Sequence, residues 1–126
     1  MVDLDTQQRY IGLLRGSGEV QKFPAGASVF AEGEPADSMF LVDSGTVVLS
    51  VGGRELEVVG PGGLFGEMAV IDREPRSASA VAQSDCGLVA IVKRRFWFLV
   101  QETPYFAEIV MRVMADRLRR ETARAS

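Results

Sequence analysis

The sequence predicts a mainly β domain, a jelly-roll β-sandwich or barrel with an N-terminal helix and C-terminal helices. Three observations lead there. Between Val20 and Val92, short apolar runs are separated by glycines at Gly26, Gly33, Gly45, Gly52-Gly53, Gly60, Gly62-Gly63 and Gly66. That is the spacing of short strands joined by tight turns. Within this stretch Val47, Leu49 and Val51 alternate with Thr46, Val48 and Ser50, and beyond Gly52-Gly53 Leu56 and Val58 alternate with Glu55 and Glu57. Alternation on both sides of a two-residue glycine turn is a hairpin signal. After Val92 the glycines stop altogether. Turns at such density followed by helices favour a two-sheet roll over other all-β architectures.

Each element follows in order. Residues 1–19 form an N-terminal helical segment, with Leu4, Ile11 and Leu14 on one side and Gly16 and Gly18 ending the run. Residues 20–92 form the roll. Lys93 to Val100 read as a short helix. Thr103 then offers an N-cap hydroxyl, and Pro104 takes the first helical position, where a missing N–H is harmless. From there Phe106, Val110, Val113 or Met114, and Leu118 fall on one stripe, with Arg112, Asp116, Arg119 and Arg120 mostly off it. The chain reads as one domain over 1–126, with C-terminal helices from 93 to 126.

Composition removes several functional classes. At 126 residues the chain can bury a core without staples. There is no histidine, so His-ligated zinc, iron and haem and a Ser-His-Asp triad are all excluded. No metal site and no catalytic residue are expected. The lone Cys86 cannot form an intrachain disulfide, and its setting Cys-Gly-Leu-Val-Ala-Ile reads as a buried strand. Acids at Asp3 and Asp5 do not suit a secretory signal, and no run approaches the ~18 apolar residues of a membrane span. The expected setting is cytoplasmic. Residues 1–92 hold six Lys and Arg against thirteen Asp and Glu, whereas residues 93–126 hold eight against four. A basic tail can serve nucleic acid or form the solvated face of an amphipathic helix, and both readings stand.

The functional segment is 62–78, Gly-Gly-Leu-Phe-Gly-Glu-Met-Ala-Val-Ile-Asp-Arg-Glu-Pro-Arg-Ser-Ala. A strand ends at Phe65, Gly66 turns, Glu67 to Ile71 form a short helix, and Arg76-Ser77-Ala78 lead into another strand. A glycine turn opening a helix presents free backbone N–H groups, which favour an anion. Arg76 brings a planar guanidinium suited to phosphate oxygens. Glu67 only accepts hydrogen bonds, so it suits a sugar hydroxyl rather than a phosphate. Together these residues describe a pocket for a sugar phosphate.

This segment resembles the phosphate-binding cassette of the cyclic nucleotide-binding domain family, and the likeness extends to Phe23-Pro24-Ala25-Gly26, to 30–37 and to 39–45. The resemblance implies that Glu67 accepts from the ribose 2′-OH and Arg76 pairs with the cyclic phosphate. Backbone amides at Met68 and Ala78 and the Ser77 hydroxyl complete the cradle, and Gly66 and Ala69 allow close approach. Gly63 stands where the family commonly has a polar residue such as Asp. Arg117 resembles a last-helix position that reaches back to the cassette Glu, and Thr122 is a candidate lid over the base; for both, a solvated or frayed helix end is the alternative. A structural Glu67–Arg76 salt bridge is the alternative for the cassette pair. Glu34 and Asp37 read as turn residues, and Phe96 and Trp97 as packing groups.

The implied function is a stand-alone, non-enzymatic sensor of cyclic AMP or cyclic GMP, with cyclic AMP slightly favoured, that moves its C-terminal helix and signals to an effector protein. A homodimer through that helix is a further expectation. The alternatives are a truncated or divergent transcription regulator of the catabolite-activator type and a ligand-free scaffold. Nothing after Ser126 supplies a helix-turn-helix, so specific DNA binding is not expected.

Overall fold

The computed structural model describes residues 11–125, with side chains to residue 120. Leu4 lies outside the described residues. A helix over residues 11–15 (α1) closes with Gly16 N–H bonding to Gly12 O, and Leu14 is fully buried. Eight strands follow: β1 (Val20–Phe23), β2 (Ser28–Phe30), β3 (Ser38–Ser44), β4 (Val47–Val51), β5 (Arg54–Val59), β6 (Leu64–Phe65), β7 (Ser79–Ala82) and β8 (Cys86–Val92). A short α2 (Glu67–Asp72) lies between β6 and β7, and α3 (Lys93–Glu102) and α4 (Pro104–Ala125) end the chain.

The strands form two four-stranded antiparallel sheets, β1-β8-β3-β6 and β2-β7-β4-β5, the jelly-roll sandwich expected. The first sheet is covered on both sides. Val42, Leu88 and Cys86 pack toward the second sheet with Phe30, Val47 and Ala80. Met39, Leu41, Val89 and Ile91 pack toward the helices with Leu14, Phe96, Leu99 and Phe106. A strand buried on both faces has no polar alternation, which is why β3 and β8 read as near-continuous apolar runs. β4 and β5 meet at Gly52 and Gly53, with φ of 57° and 81°. Two consecutive positive-φ residues match the strand twist of a tight hairpin, and glycine adopts them without strain.

That hairpin departs from the expected alternation. Leu49 faces Glu57 but Ser50 faces Glu55, so Leu56 is an extra residue in a β-bulge. The bulge reverses the phase of the strand. Val58 is turned outward, 43% exposed, and Glu57 is turned to the side of Leu49.

α3 and α4 pack through an aromatic edge, Phe96 against Phe106 at 5.5 Å between centroids, while Phe96 also meets its neighbour Trp97 at 5.0 Å within α3. Phe96 is core, as expected, while Trp97 remains substantially exposed. α3 runs to Glu102, two residues beyond the expected Val100, and Pro104 starts α4. On α4, Phe106, Ile109 and Val110 are buried and Met114 is half-buried. Leu118 corrects the expected stripe: it is 62% exposed, because the apolar surface that receives α4 ends about one turn earlier. Beyond Met114 the helix is held by charge instead.

Candidate functional site

The segment 62–78 folds around one backbone singularity. β6 delivers the chain to Gly66, whose φ of 81° makes it the left-handed N-cap of α2, without any side-chain cap. A Cβ here would meet Arg76 Nη1 at 2.8 Å and the Phe30 ring at 3.4 Å. Glycine is therefore needed for conformation and for space. α2 opens with the backbone N–H groups of Glu67, Met68 and Ala69 and closes at Arg73, itself left-handed at φ 63°. The chain returns along the 33–34 turn: Arg76 N–H donates to Glu34 O and Gly33 N–H to Arg76 O, each at 2.8 Å. Glu34 is a turn residue, as expected, since its carboxylate accepts from Ala31 N–H at 3.0 Å.

Arg76 is 6% exposed. Its Nη1 donates to Gly66 O at 2.9 Å and its Nη2 to Ser38 O at 2.7 Å. The guanidinium lies 4.0 Å above the Phe30 ring, within a cluster in which Phe40 stacks on Phe65. Among the described residues no carboxylate pairs with it, and its buried Nε has no acceptor. Burial pulls its pKa below the ordinary arginine value, and the more distant charges of Asp37, Glu34 and Glu67 only partly offset this. A buried cation with a spare donor is costly unless an anion arrives.

Glu67, 2% exposed, does not pair with Arg76. Its partner is Arg117 of α4, whose Nη1 donates to Glu67 Oε1. Arg117 also grips Glu57 with two bonds, Nε to Oε1 at 2.8 Å and Nη2 to Oε2 at 3.2 Å, and donates to Leu64 O at 2.6 Å. Arg120 adds a contact to Glu57 Oε1 at 3.0 Å. Burial alone would lower the Arg117 pKa, but the hydrogen bond and charge of Glu57 and the charge of Glu67 raise it. For Glu57, burial pushes the carboxyl up, and the hydrogen bond and charge of Arg117, with the charge of Arg120, outweigh it and leave the pKa lowered.

A cavity of about 280 Å³ lies among these groups, close to the lower end of the roughly 300–1,000 Å³ usual for small-molecule sites. Gly66, Glu67, Met68, Ala69, Arg76, Ser77 and Ala78 line it, and Arg117 closes it from α4. All the cassette residues named from sequence thus share one cavity wall. Met68 lines the cavity and is partly exposed to solvent. Thr122 falls within α4, but its side chain lies outside the described residues. The opposite wall is Phe30, Leu49, Val51 and Leu56, with Glu57 and Arg120 as its polar members. Glu57 and Arg120 are the residues that sequence reasoning missed. In an alternating strand Glu55 and Glu57 look equivalent, and only the bulge tells them apart. Among the described residues, no cluster could hold a metal ion and no helix is long and apolar enough to cross a membrane.

Fold and cavity together define a jelly-roll domain with a buried arginine on its cavity wall. A sequence profile of the cyclic nucleotide-binding domain matches residues 20–103, and the chain belongs to that family. It is similar to a CRP-like cAMP-activated global transcriptional regulator of Mycobacterium tuberculosis, 37% identical over 103 residues that make up 78% of this chain and 46% of that protein. It is also similar to a cyclic nucleotide-gated potassium channel of Mesorhizobium japonicum, 40% identical over 94 residues, 75% of this chain and 26% of the channel. The crystal structure of Thermus thermophilus catabolite activator protein superposes with a TM-score of 0.81 at 33% identity, covering 93% of this chain and 57% of that one. The chain therefore spans about half the length, or less, of these curated relatives. A transcriptional regulator and a gated channel thus each contain a region similar to this chain.

Proposed function

We propose that this chain is a sensor of cyclic AMP or cyclic GMP that reports ligand through α4. The observation that carries the reading is Arg76, a buried guanidinium with an orphaned Nε on the wall of the cavity that Glu67 also lines. The cyclic phosphate takes Arg76, the amides of Met68 and Ala78 and the Ser77 hydroxyl. The ribose 2′-OH donates to Glu67, and Gly66 and Ala69 let the sugar approach. A 2′-OH on Glu67 shares the carboxylate with Arg117, so ligand entry alters the charge contacts that hold the distal half of α4. That differential contact is what population shift requires. An effector protein then reads the helix, in a cytoplasmic setting that suits the buried thiol of Cys86.

Calorimetric titration with both nucleotides tests this. One saturable site per chain is expected, and absence of binding to either nucleotide refutes it. A second reading, part of a transcription regulator of the catabolite-activator type, draws on the M. tuberculosis relative and the basic α4. Mobility shift of duplex DNA that depends on the nucleotide would favour it. Exposed Met111 on α4 suits a homodimer through that helix, which light scattering would detect as a doubled mass.

A further inference from the structure

Two arginines of α4 reach the cavity, and they differ in what they have left to offer. Arg117 has donors committed to Glu57, Glu67 and Leu64 O through all three of its nitrogens. Arg120 is half-exposed and, among the described residues, makes a single ion pair, Nη1 to Glu57. A guanidinium carries five N–H donors in a fixed fork and no acceptor. Most of Arg120's donors therefore remain available, on a side chain that Glu57 tethers at the cavity wall.

Resting on the proposed reading, phosphate at Arg76 and ribose at Glu67 leave the base, among the described residues, chiefly the remaining lining of Leu49, Val51, Leu56, Glu57 and Arg120. The first three are apolar and grip any purine alike. Glu57 already accepts three arginine contacts. Arg120 is the polar group with capacity to spare. We propose that Arg120, positioned by Glu57, reads the purine edge and biases the site toward 6-oxopurines, guanine above all. Guanine presents two acceptors side by side, O6 and N7, which match the fork. Adenine presents N7 beside a 6-amino donor, which opposes it.

The test compares cyclic GMP, cyclic IMP and cyclic AMP by calorimetry on the wild-type chain, Arg120→Ala and Arg120→Lys. Cyclic IMP keeps O6 and N7 but lacks the 2-amino group, so it separates Arg120 from a contact to that amino group by Ser77. Arg120→Ala should weaken cyclic GMP and cyclic IMP about tenfold and leave cyclic AMP within about twofold. Arg120→Lys, which keeps the charge and loses the fork, should fall between. Equal losses on all three ligands, no loss on any, or a loss confined to cyclic GMP would each overturn the inference while leaving the cyclic-nucleotide reading intact. Wild-type protein that binds none of the three overturns that reading and the inference with it.

Discussion

Replacing Arg76 by alanine removes two hydrogen bonds, Nη1 to Gly66 O and Nη2 to Ser38 O, and a ring contact to Phe30. Without ligand, those losses are partly offset, because the same change removes a buried cation that has no carboxylate partner. The free protein should lose no more than about 2 kcal/mol of stability. With ligand the balance changes. The cyclic phosphate would enter a largely desolvated site with its main counter-charge gone, a loss of ~2–5 kcal/mol, or roughly 30- to 5,000-fold in Kd. Two assays read this. Calorimetry gives the affinities directly. Thermal unfolding gives them through linkage: ligand at 100 times Kd stabilises wild type by about 2.7 kcal/mol, roughly 10 °C for a domain of this size. At the same concentration Arg76→Ala should keep no more than about a third of that shift. Arg76→Lys should recover part of the affinity, since it restores charge but not the fork. If Arg76→Ala folds and binds within about threefold of wild type, the phosphate does not sit at Arg76.

Three further outcomes follow from neighbouring groups. Glu67→Gln should weaken binding of the ribose nucleotide, with most of that loss absent for the 2′-deoxy analogue in calorimetry; equal losses would mean that Glu67 acts through Arg117. Gly66→Ala forces a side chain into left-handed backbone and onto Arg76 Nη1, so it should destabilise the free protein by about 1–2 kcal/mol in urea unfolding and also depress affinity; a neutral variant would refute the close approach. Glu57→Gln should destabilise by about 1–3 kcal/mol at pH 7. Because, against the upward push of burial, Arg117 and Arg120 hold the folded carboxyl below the usual carboxylate range, the stabilisation is present above the unfolded pKa and lost as pH falls through the folded one. Wild type and variant should therefore converge in urea unfolding as the pH is lowered through the folded pKa, and a gap that widens there would refute the charge argument.

The cassette was legible because it is local. Gly66 through Ala78 lie in one stretch of chain, and each residue type there restricts its own chemistry: a left-handed glycine, an acceptor-only carboxylate, a forked cation. What local sequence could not provide was partnership. Glu67 is claimed by Arg117, fifty residues away, and not by Arg76; only the family resemblance, not the local pattern, pointed to that partner. Leu118 continues a 3.6-residue stripe that the spacing cannot end, because it ends where the surface of the roll does. Glu57 was hidden by a single inserted residue, Leu56, in a strand whose pattern otherwise alternates without fault. Backbone irregularities that swap the faces of a strand leave hydrophobic periodicity intact on either side, so pattern reading passes over them.

In the proposed reading, the guanidinia of Arg76 and Arg117 bring ligand binding and helix position into one equilibrium. Arg117 has two carboxylates and a carbonyl, and its pKa is raised; Arg76 has two carbonyls and no carboxylate, and its pKa is lowered. The first is compensated within the fold, the second is not. A cyclic nucleotide bound as proposed would supply the missing anion to Arg76 and, through its 2′-OH, would compete for the Glu67 oxygen that Arg117 holds. The free energy released at the uncompensated site would then be drawn on at the compensated one. Because the described residues of α4 beyond Met114 add nothing to the apolar core, those charge contacts would govern where that part of the helix lies. Strengthening the Glu57 contact should tighten the helix in both states, whereas weakening Glu67–Arg117 should free it mainly where no ligand is bound.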